Sequence, residues 1–227
     1  MNNFLHHKKI ILISLTVAFA NFWIWRVIKE ELLFGLMTIL LSVLLILIDA
    51  KFDKKGFLIF SSFLLFVSYQ LITQGFDENL KLVSAEDLRK LEGRHGYFAD
   101  SLGILFQNKY TLRSYKDFYP HLNSYQENIF NSLSPNLYFF SNHPRERERV
   151  EEFAKYPSIL VIPFLLGLIY IFVFHSSKYL IVGYLIFASL VSGFIKQTFP
   201  FGPILFFPLI NLLITRGILL LASIFKK

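Results

Sequence analysis

Two adjacent carboxylates, Glu30 and Glu31, follow two cations, Arg26 and Lys29, in a short polar segment between apolar stretches. A carboxylate in this setting could act as a general base on an acceptor hydroxyl, while the cations bind a lipid-linked phosphate. The simpler interpretation is that these four residues are the charged flanks of a tight hairpin between two helices. In both cases the flanking apolar stretches must hold the segment at one surface.

Three further charged residues are candidates for a site. Asp77 is a carboxylate at the start of the long polar segment in the middle of the chain, and Arg145 lies near the end of that segment. Arg216 lies within the last apolar stretch, where a bilayer makes a charge costly; it is either functional or extends its long side chain to the membrane surface. We expect Arg26, Lys29, Arg145 and Arg216 to be the lipid or phosphate ligands.

The sequence contains no metal-binding motif and no nucleophile motif. Its six histidines are scattered without His-x-x-x-His spacing, and the absence of cysteine excludes disulfides, thiolate chemistry and Cys-ligated metals. No glycine-rich phosphate loop follows a strand, and no nucleophile elbow is present. We therefore expect no metal, no cofactor, and no nucleotide or acyl-transfer chemistry of the soluble-enzyme kind.

The composition indicates that hydrocarbon, not water, surrounds most of the chain. Hydrophobic residues make up 54% of its 227 residues, 27 residues are Phe, and the mean hydropathy is +0.50, which is unlike a soluble domain. Residues 76–156 hold 11 basic and 12 acidic residues, whereas the rest of the chain holds 12 and 4. The excess positive charge flanks apolar stretches, so membrane lipids and not nucleic acid are the expected partner.

Six apolar runs of 16 residues or more could each cross the bilayer. Helices are required because an open strand in lipid leaves its backbone amides and carbonyls without partners. The first run contains Ala18-Phe19-Ala20, which resembles a signal-peptidase site, but apolar and aromatic residues continue past it, so we interpret it as a retained anchor. The runs are Ile10–Trp25, Leu32–Ile48, Phe57–Ile72, Ile159–Phe174, Tyr179–Ile195 and Ile204–Phe225.

These runs predict an all-α polytopic membrane protein in three parts. Residues 1–75 and 157–227 each form three transmembrane helices, and residues 76–156 form a small, mostly helical domain outside the bilayer. An inside N-terminus places eight short-loop lysines in the cytoplasm and three basic residues outside. Both termini are therefore expected on the cytoplasmic side of a plasma (inner) membrane, with residues 76–156 extracytoplasmic.

Two helices and a loop are predicted in the middle part. Residues 84–105 begin with a capping box and continue with apolar residues at three- and four-residue spacing. A second helix covers residues 111–133 with an interruption at Pro120. Residues 134–145 combine proline, asparagine and aromatic residues and predict an extended loop, after which a solvated charge run leads through Lys155 into the fourth span.

Three features follow one another in the second half of the chain: the Ser-Pro and aromatic stretch Ser134–Phe140, the polar turn Asn142–Arg145, and the Pro-containing span Ile159–Leu168. This order resembles the later part of bacterial membrane glycosyltransferases of the multi-span GT-C fold. Phe199–Gly217, with its prolines and Arg216, is similar to the late-span pattern of the same family.

The resemblance implies work on lipid-linked glycans in the cell envelope, with two departures. The family places its catalytic acid in a large first extracytoplasmic loop, which here is only Arg26–Glu31, and it usually has more spans. We therefore expect a shortened, non-catalytic relative with an accessory or glycan-handling role, whose partner is a lipid-linked sugar or another membrane protein. The alternatives are an active glycosyltransferase with a lipid-linked sugar donor, and a small inverted-repeat transporter with Pro163, Pro203 and Pro208 as helix breaks.

Overall fold

The computed structural model describes residues 2–50, 56–76, 89–90, 92–94, 96–97, 100, 109–140, 154–174, 178–195 and 202–224. This described part is 91% helical and contains no strand. The predicted all-α fold is therefore confirmed, and each of the six apolar runs contains a helix.

In chain order the α-helices are α1 (Asn2–Phe19), α2 (Phe22–Glu30), α3 (Leu32–Ala50), α4 (Gly56–Gln74), α5 (Lys109–Arg113), α6 (Tyr119–Leu133), α7 (Asn136–Phe139), α8 (Val161–Phe174), α9 (Lys178–Phe194) and α10 (Phe207–Ile224). A π-helical turn, Ser114–Phe118, joins α5 to α6, and 3₁₀ turns at Ser158–Leu160 and Gly202–Phe206 lead into α8 and α10. Residues 89–90, 92–94, 96–97 and 100 are also helical, in agreement with the helix predicted over 84–105. The rest of that prediction lies outside the described residues.

The first apolar run bends instead of forming one straight helix. Two residues separate α1 from α2, and the two helix axes differ by 73°. The side-chain oxygen of Asn21 accepts hydrogen bonds from the backbone N–H groups of Trp23 (2.9 Å) and Ile24 (3.2 Å), so Asn21 caps a new helix. Residues 26–30 therefore belong to a helix, and the prediction that Arg26–Glu31 is a loop is wrong for these five residues.

α10 is the central helix and packs against α8, α3 and α1. Its residues Phe207–Thr215 are all buried. α8 and α10 cross at two glycines: a Cβ atom on Gly167 would overlap the carbonyl of Leu213, and one on Gly217 would overlap the carbonyl of Pro163. The two helices therefore touch backbone to backbone, an approach that small residues allow.

One helical stretch among the described residues, Ile204–Ile224, is by itself long and apolar enough to cross a membrane. α1 and α2 are long and apolar enough to cross a membrane only if the two bent helices are counted as one span. α3, α8 and α9 contain shorter apolar stretches of 10 to 17 residues. Membrane association is thus supported at Ile204–Ile224, and the six separate spans stay a prediction.

Residues 109–140, which we call the cap, are helical over most of their length. An interruption was predicted at Pro120, but in the structure a helix starts there. Pro120 lies in the first turn of α6, where its missing N–H group is not needed. The segment predicted to be an extended loop begins with α7, a single helical turn, so that part of the prediction is wrong. Residues 141–145 of the same segment lie outside the described part.

The cap packs against the C-terminal end of α9. The hydroxyl of Tyr125 donates a hydrogen bond to the carbonyl of Leu190 (3.1 Å), and the side-chain amide of Asn128 donates one to the carbonyl of Gly193 (3.2 Å). The ring of Tyr125 lies against Gly193, where an added Cβ would overlap the ring in its present position. These contacts hold α6 to α9, and we call this end of the bundle the capped end.

Residues 154–158, which we call the strap, join the cap to the bundle. Lys155 Nζ donates to the carbonyl of Leu137 (2.8 Å), and the backbone N–H of Tyr156 donates to the carbonyl of Tyr138 (2.9 Å). On the other side of the strap, the backbone N–H of Phe22 donates to the carbonyl of Lys155 (2.7 Å). The strap therefore lies between α7 and the first turn of α2.

Candidate functional site at the capped end

The candidate residues of the first polar segment lie together on the C-terminal half of α2. Lys29 and Glu30 are exposed, whereas Arg26 and Glu31 are half-buried. Glu31 is the C-terminal cap of α2, and its backbone N–H donates to the carbonyl of Val27 at 2.8 Å. The nine-residue helix thus fixes the relative spacing of Arg26, Lys29 and Glu30 by helical geometry, and Glu31 follows as its extended cap residue.

The carboxylate of Glu31 accepts a hydrogen bond from the hydroxyl of Tyr69 on α4. The ring of Tyr69 packs against Phe34 on α3, with ring centroids 4.9 Å apart. Glu31 therefore ties the junction of α2 and α3 to the end of α4. A general base must accept a proton from its substrate, and a phenol already occupies one oxygen of this carboxylate.

Trp23 lies at the centre of a cationic cluster that the sequence did not reveal. Its side chain is only 3% exposed. The guanidinium carbon of Arg26 lies 5.4 Å from the centre of the indole ring, and Lys155 Nζ lies 4.5 Å from it. Both distances are within the range of cation–π attraction. Arg26, predicted as a phosphate ligand, thus also packs on an aromatic ring.

Lys155 is fully buried, although the sequence interpretation gave it no role beyond leading into the fourth span. A buried ammonium group is costly unless hydrogen bonds or other partners stabilise it. Here the carbonyl of Leu137 and the face of Trp23 both do so. The sequence offers one signal of this burial: Lys155 stands alone among Phe, Ala, Tyr and Pro, separate from the charge run that precedes it.

A chain of buried polar groups connects the strap to the middle of the bundle. The hydroxyl of Tyr156 donates to Asn211 Oδ1 on α10 (2.9 Å), and Asn211 Nδ2 donates to Ser42 Oγ on α3 (3.0 Å). Ser42 Oγ in turn donates to the carbonyl of Thr38 (2.7 Å). Burial raises the pKa of the Tyr156 hydroxyl above its ordinary range. The chain fixes the strap relative to two helices, because each member satisfies the next.

Of the remaining candidates, only Arg216 lies in the described part of the chain, and it does not join α2. Arg216 is half-buried on α10, nine residues along the helix from Phe207, and a rise of about 1.5 Å per residue puts it roughly 14 Å further from the capped end. Asp77 and Arg145 lie outside the described residues. Within the part of the chain that is described, no group of three or more His, Asp or Glu side chains could hold a metal ion.

Comparisons with known proteins give no match: no family model, no curated protein and no solved structure matches this chain. The resemblance to GT-C-fold glycosyltransferases therefore rests on the sequence features between residues 134 and 217.

Proposed function

We propose that this chain is an integral membrane protein in which α1, α3, α4, α8, α9 and α10 cross the bilayer and the cap lies outside it. The observation that carries this proposal is the distribution of polarity over the helices. Large apolar side chains project outward: Leu40 on α3 is 59% exposed, Leu65 on α4 is 67% exposed and Ile169 on α8 is 56% exposed. On α3 the polar side chains of Thr38 and Ser42 are buried instead.

Water disfavours these outward apolar side chains, although the bundle also has a buried apolar core. Burying a Leu or Ile side chain is worth about 1.5–3 kcal/mol in water, so a soluble bundle turns such residues inward. In lipid, outward apolar side chains cost nothing, and polar side chains find their partners between helices. Asn211, buried on the central helix and bonded to Ser42, follows the membrane pattern.

The proposed topology has three spans before the cap segment and three after it. α4 and α9 end at the capped end, since Phe76 and Ile195 form an isolated antiparallel bridge just beyond them. α10 begins there, because the ring of Phe207 lies 6.1 Å from that of Tyr138. α1 also ends there, beside the strap. The start of α1 and the end of α10 then share the opposite, lysine-rich side, which we propose is the cytoplasm.

We further propose a non-catalytic accessory role with lipid-linked glycans at the outer face of the membrane. The sequence features of residues 134–217 support the link to such glycans. The engagement of Glu31 by Tyr69 supports a structural rather than a catalytic role for that carboxylate. In the active-glycosyltransferase alternative, with Glu30, Glu31 or Asp77 as the base, Glu31 could serve only by exchanging its phenol partner for an acceptor hydroxyl.

Helix pairing gives little support to the inverted-repeat transporter. In the second half of the chain the first helix, α8, packs most extensively against the third, α10. In the first half the first span, α1, packs most extensively against the second span, α3, so the two halves pair their helices differently. The prolines proposed as helix breaks are also poorly placed, because Pro163 and Pro208 lie in the first turns of α8 and α10, where proline is tolerated.

A single charge on the outer surface of the bundle tests the membrane environment. Leu40→Lys places a lysine near the middle of α3, where a lipid environment imposes a penalty of about 2.5–3.5 kcal/mol. We expect a large loss of membrane-integrated protein, measured as the fraction that resists alkaline carbonate extraction. Gln126→Lys on the exposed surface of α6 is the matched control and should have no effect. Equal recovery of both variants would contradict the proposal, since exposed positions in water tolerate such changes within about 0.5 kcal/mol.

The glycan role is tested with purified protein and a sugar linked to a polyprenyl phosphate. We expect a bound complex in native mass spectrometry that persists in Glu31→Gln, and no transfer of the sugar. Failure to bind would contradict the glycan role. Sugar transfer that is lost in Glu31→Gln while the protein remains folded would establish the catalytic alternative instead.

A further inference from the structure

The helix α2 has one buried face and one exposed face that nothing in the described part of the chain covers. Trp23, Ile24 and Val27 point into the bundle and are at most 3% exposed. Phe22 and Trp25 on the opposite face are 51% and 52% exposed. Because α2 turns 73° away from α1, a membrane-crossing α1 would leave α2 close to the plane of the membrane surface.

The exposed face is built around Trp25. Its indole N–H donates a hydrogen bond to the carbonyl of Phe19 (3.0 Å), and its ring stacks on that of Phe19 at a centroid distance of 5.5 Å. Lys29 follows Trp25 by four residues and therefore lies on the same side of the helix, exposed. The face thus offers a fixed aromatic surface with a cation at its edge.

We propose that this face of α2 binds the headgroup region of anionic phospholipids, with Phe19, Phe22 and Trp25 seated at the interface and Lys29 paired with a lipid phosphate. This inference rests on the proposed membrane embedding. An aromatic surface with an adjacent cation is the composition that membrane interfaces favour.

Continuity of the surface identifies the occupant as lipid. The start of α3, directly after α2, exposes Leu32 (59%), Leu33 (50%) and Leu36 (51%), so the aromatic face continues into the outer apolar surface of the bundle. The first amides of α2 already donate to Asn21 and to the strap, so the side chain of Lys29, not the helix N-terminus, must supply the phosphate contact.

The two tryptophans of the chain make the test specific, because one lies on each face of α2. Trp23→Phe leaves Trp25 as the only tryptophan, and the variant is reconstituted in vesicles that contain phospholipids brominated at known acyl positions. We expect the strongest quenching from bromines near the headgroup and a steady decrease for deeper ones. If Trp23→Phe does not fold, the difference between the wild-type protein and Trp25→Phe isolates the same signal.

The charge of the lipid is tested by comparing brominated phosphatidylglycerol with brominated phosphatidylcholine. One lysine near an anionic surface enriches such lipids by up to about fivefold, and the exposed Glu30 keeps the value below that limit. We expect phosphatidylglycerol to quench Trp25 more strongly than phosphatidylcholine does. Lys29→Gln should make the two lipids quench equally. Lys9→Gln, which changes a matched exposed lysine on α1 away from the capped end, should leave the difference unchanged. Two results would overturn this inference and leave the proposed membrane embedding intact. One is the absence of Trp25 quenching in a protein that remains membrane-integrated, and the other is a preference for phosphatidylglycerol that survives Lys29→Gln.

Discussion

Two glycines allow the backbones of α8 and α10 to touch, and replacing either of them tests that packing. A Cβ on Gly167 would overlap the carbonyl of Leu213, and a Cβ on Gly217 would overlap the carbonyl of Pro163. Both obstacles are backbone atoms of helices, which cannot rotate away as a side chain can. Alanine at either position should therefore push the two helices apart.

The size of the effect follows from two opposing contributions. Forcing extra atoms into a packed contact costs about 1–3 kcal/mol, and the upper part of that range applies to backbone obstacles. Alanine returns up to about 1 kcal/mol through its higher helix propensity. We expect Gly167→Ala to lower the free energy of unfolding by about 1–2 kcal/mol, the difference of these two terms. Gly183 on α9 is the control, because a Cβ there meets nothing within 4 Å.

The assay is unfolding of the detergent-solubilised protein by increasing mole fractions of dodecyl sulfate, followed by circular dichroism. Gly183→Ala should stabilise by about 0.5–1 kcal/mol, opposite in sign to Gly167→Ala. The double variant Gly167→Ala with Gly217→Ala should cost less than the sum of the single variants, since both act at one crossing. A gain in stability for Gly167→Ala equal to that of Gly183→Ala would refute the close crossing.

Three further predictions concern the cap and the strap. Tyr156→Phe leaves Asn211 Oδ1 without its donor and should lower the free energy of unfolding by about 1–3 kcal/mol, measured in the same assay; an unchanged midpoint would contradict the buried chain. Burial raises the pKa of Tyr138 and Tyr156. The stabilisation by each neutral tyrosine is therefore complete below about pH 10, and above that pH the free energy of unfolding falls by up to roughly 1.4 kcal/mol per pH unit for each tyrosine. The thermal midpoint should drop between pH 9 and 11, and it should drop less steeply in Tyr156→Phe. The nearest obstacle to Gly193→Ala is the side-chain ring of Tyr125, which can shift, so this variant should cost less stability than Gly167→Ala; an equal or larger loss would contradict that prediction.

The helices were predictable because their signal is local. Long apolar runs bounded by charged residues require helical backbone in lipid, and each run contains a helix. The helix from residue 119 to residue 133 was also predictable, because its apolar residues recur with helical spacing. The placement of Arg26, Lys29, Glu30 and Glu31 together at one surface needed only their nearness in sequence.

The departures arise where one polar residue outweighs the surrounding pattern. Asn21 lies within an apolar run, and its capping of Trp23 and Ile24 starts a new helix where hydropathy predicts continuation. The burial of Lys155 depends on Trp23 and Leu137, which are far apart in sequence, so no local pattern could predict it. The bond between Glu31 and Tyr69 is likewise tertiary, and it converts a candidate base into a structural contact.

The central claim, a bundle embedded in a membrane with its cap on the outer side, is tested most directly by labelling single cysteines. The chain has no cysteine, so each variant carries one reactive thiol. Gln126→Cys lies on the exposed surface of α6 in the cap, and Ser223→Cys lies exposed near the end of α10. In intact spheroplasts a membrane-impermeant maleimide should label Gln126→Cys at once and Ser223→Cys only after permeabilisation. Labelling of Ser223→Cys but not Gln126→Cys in intact cells, or recovery of both variants in the soluble fraction, would contradict the claim.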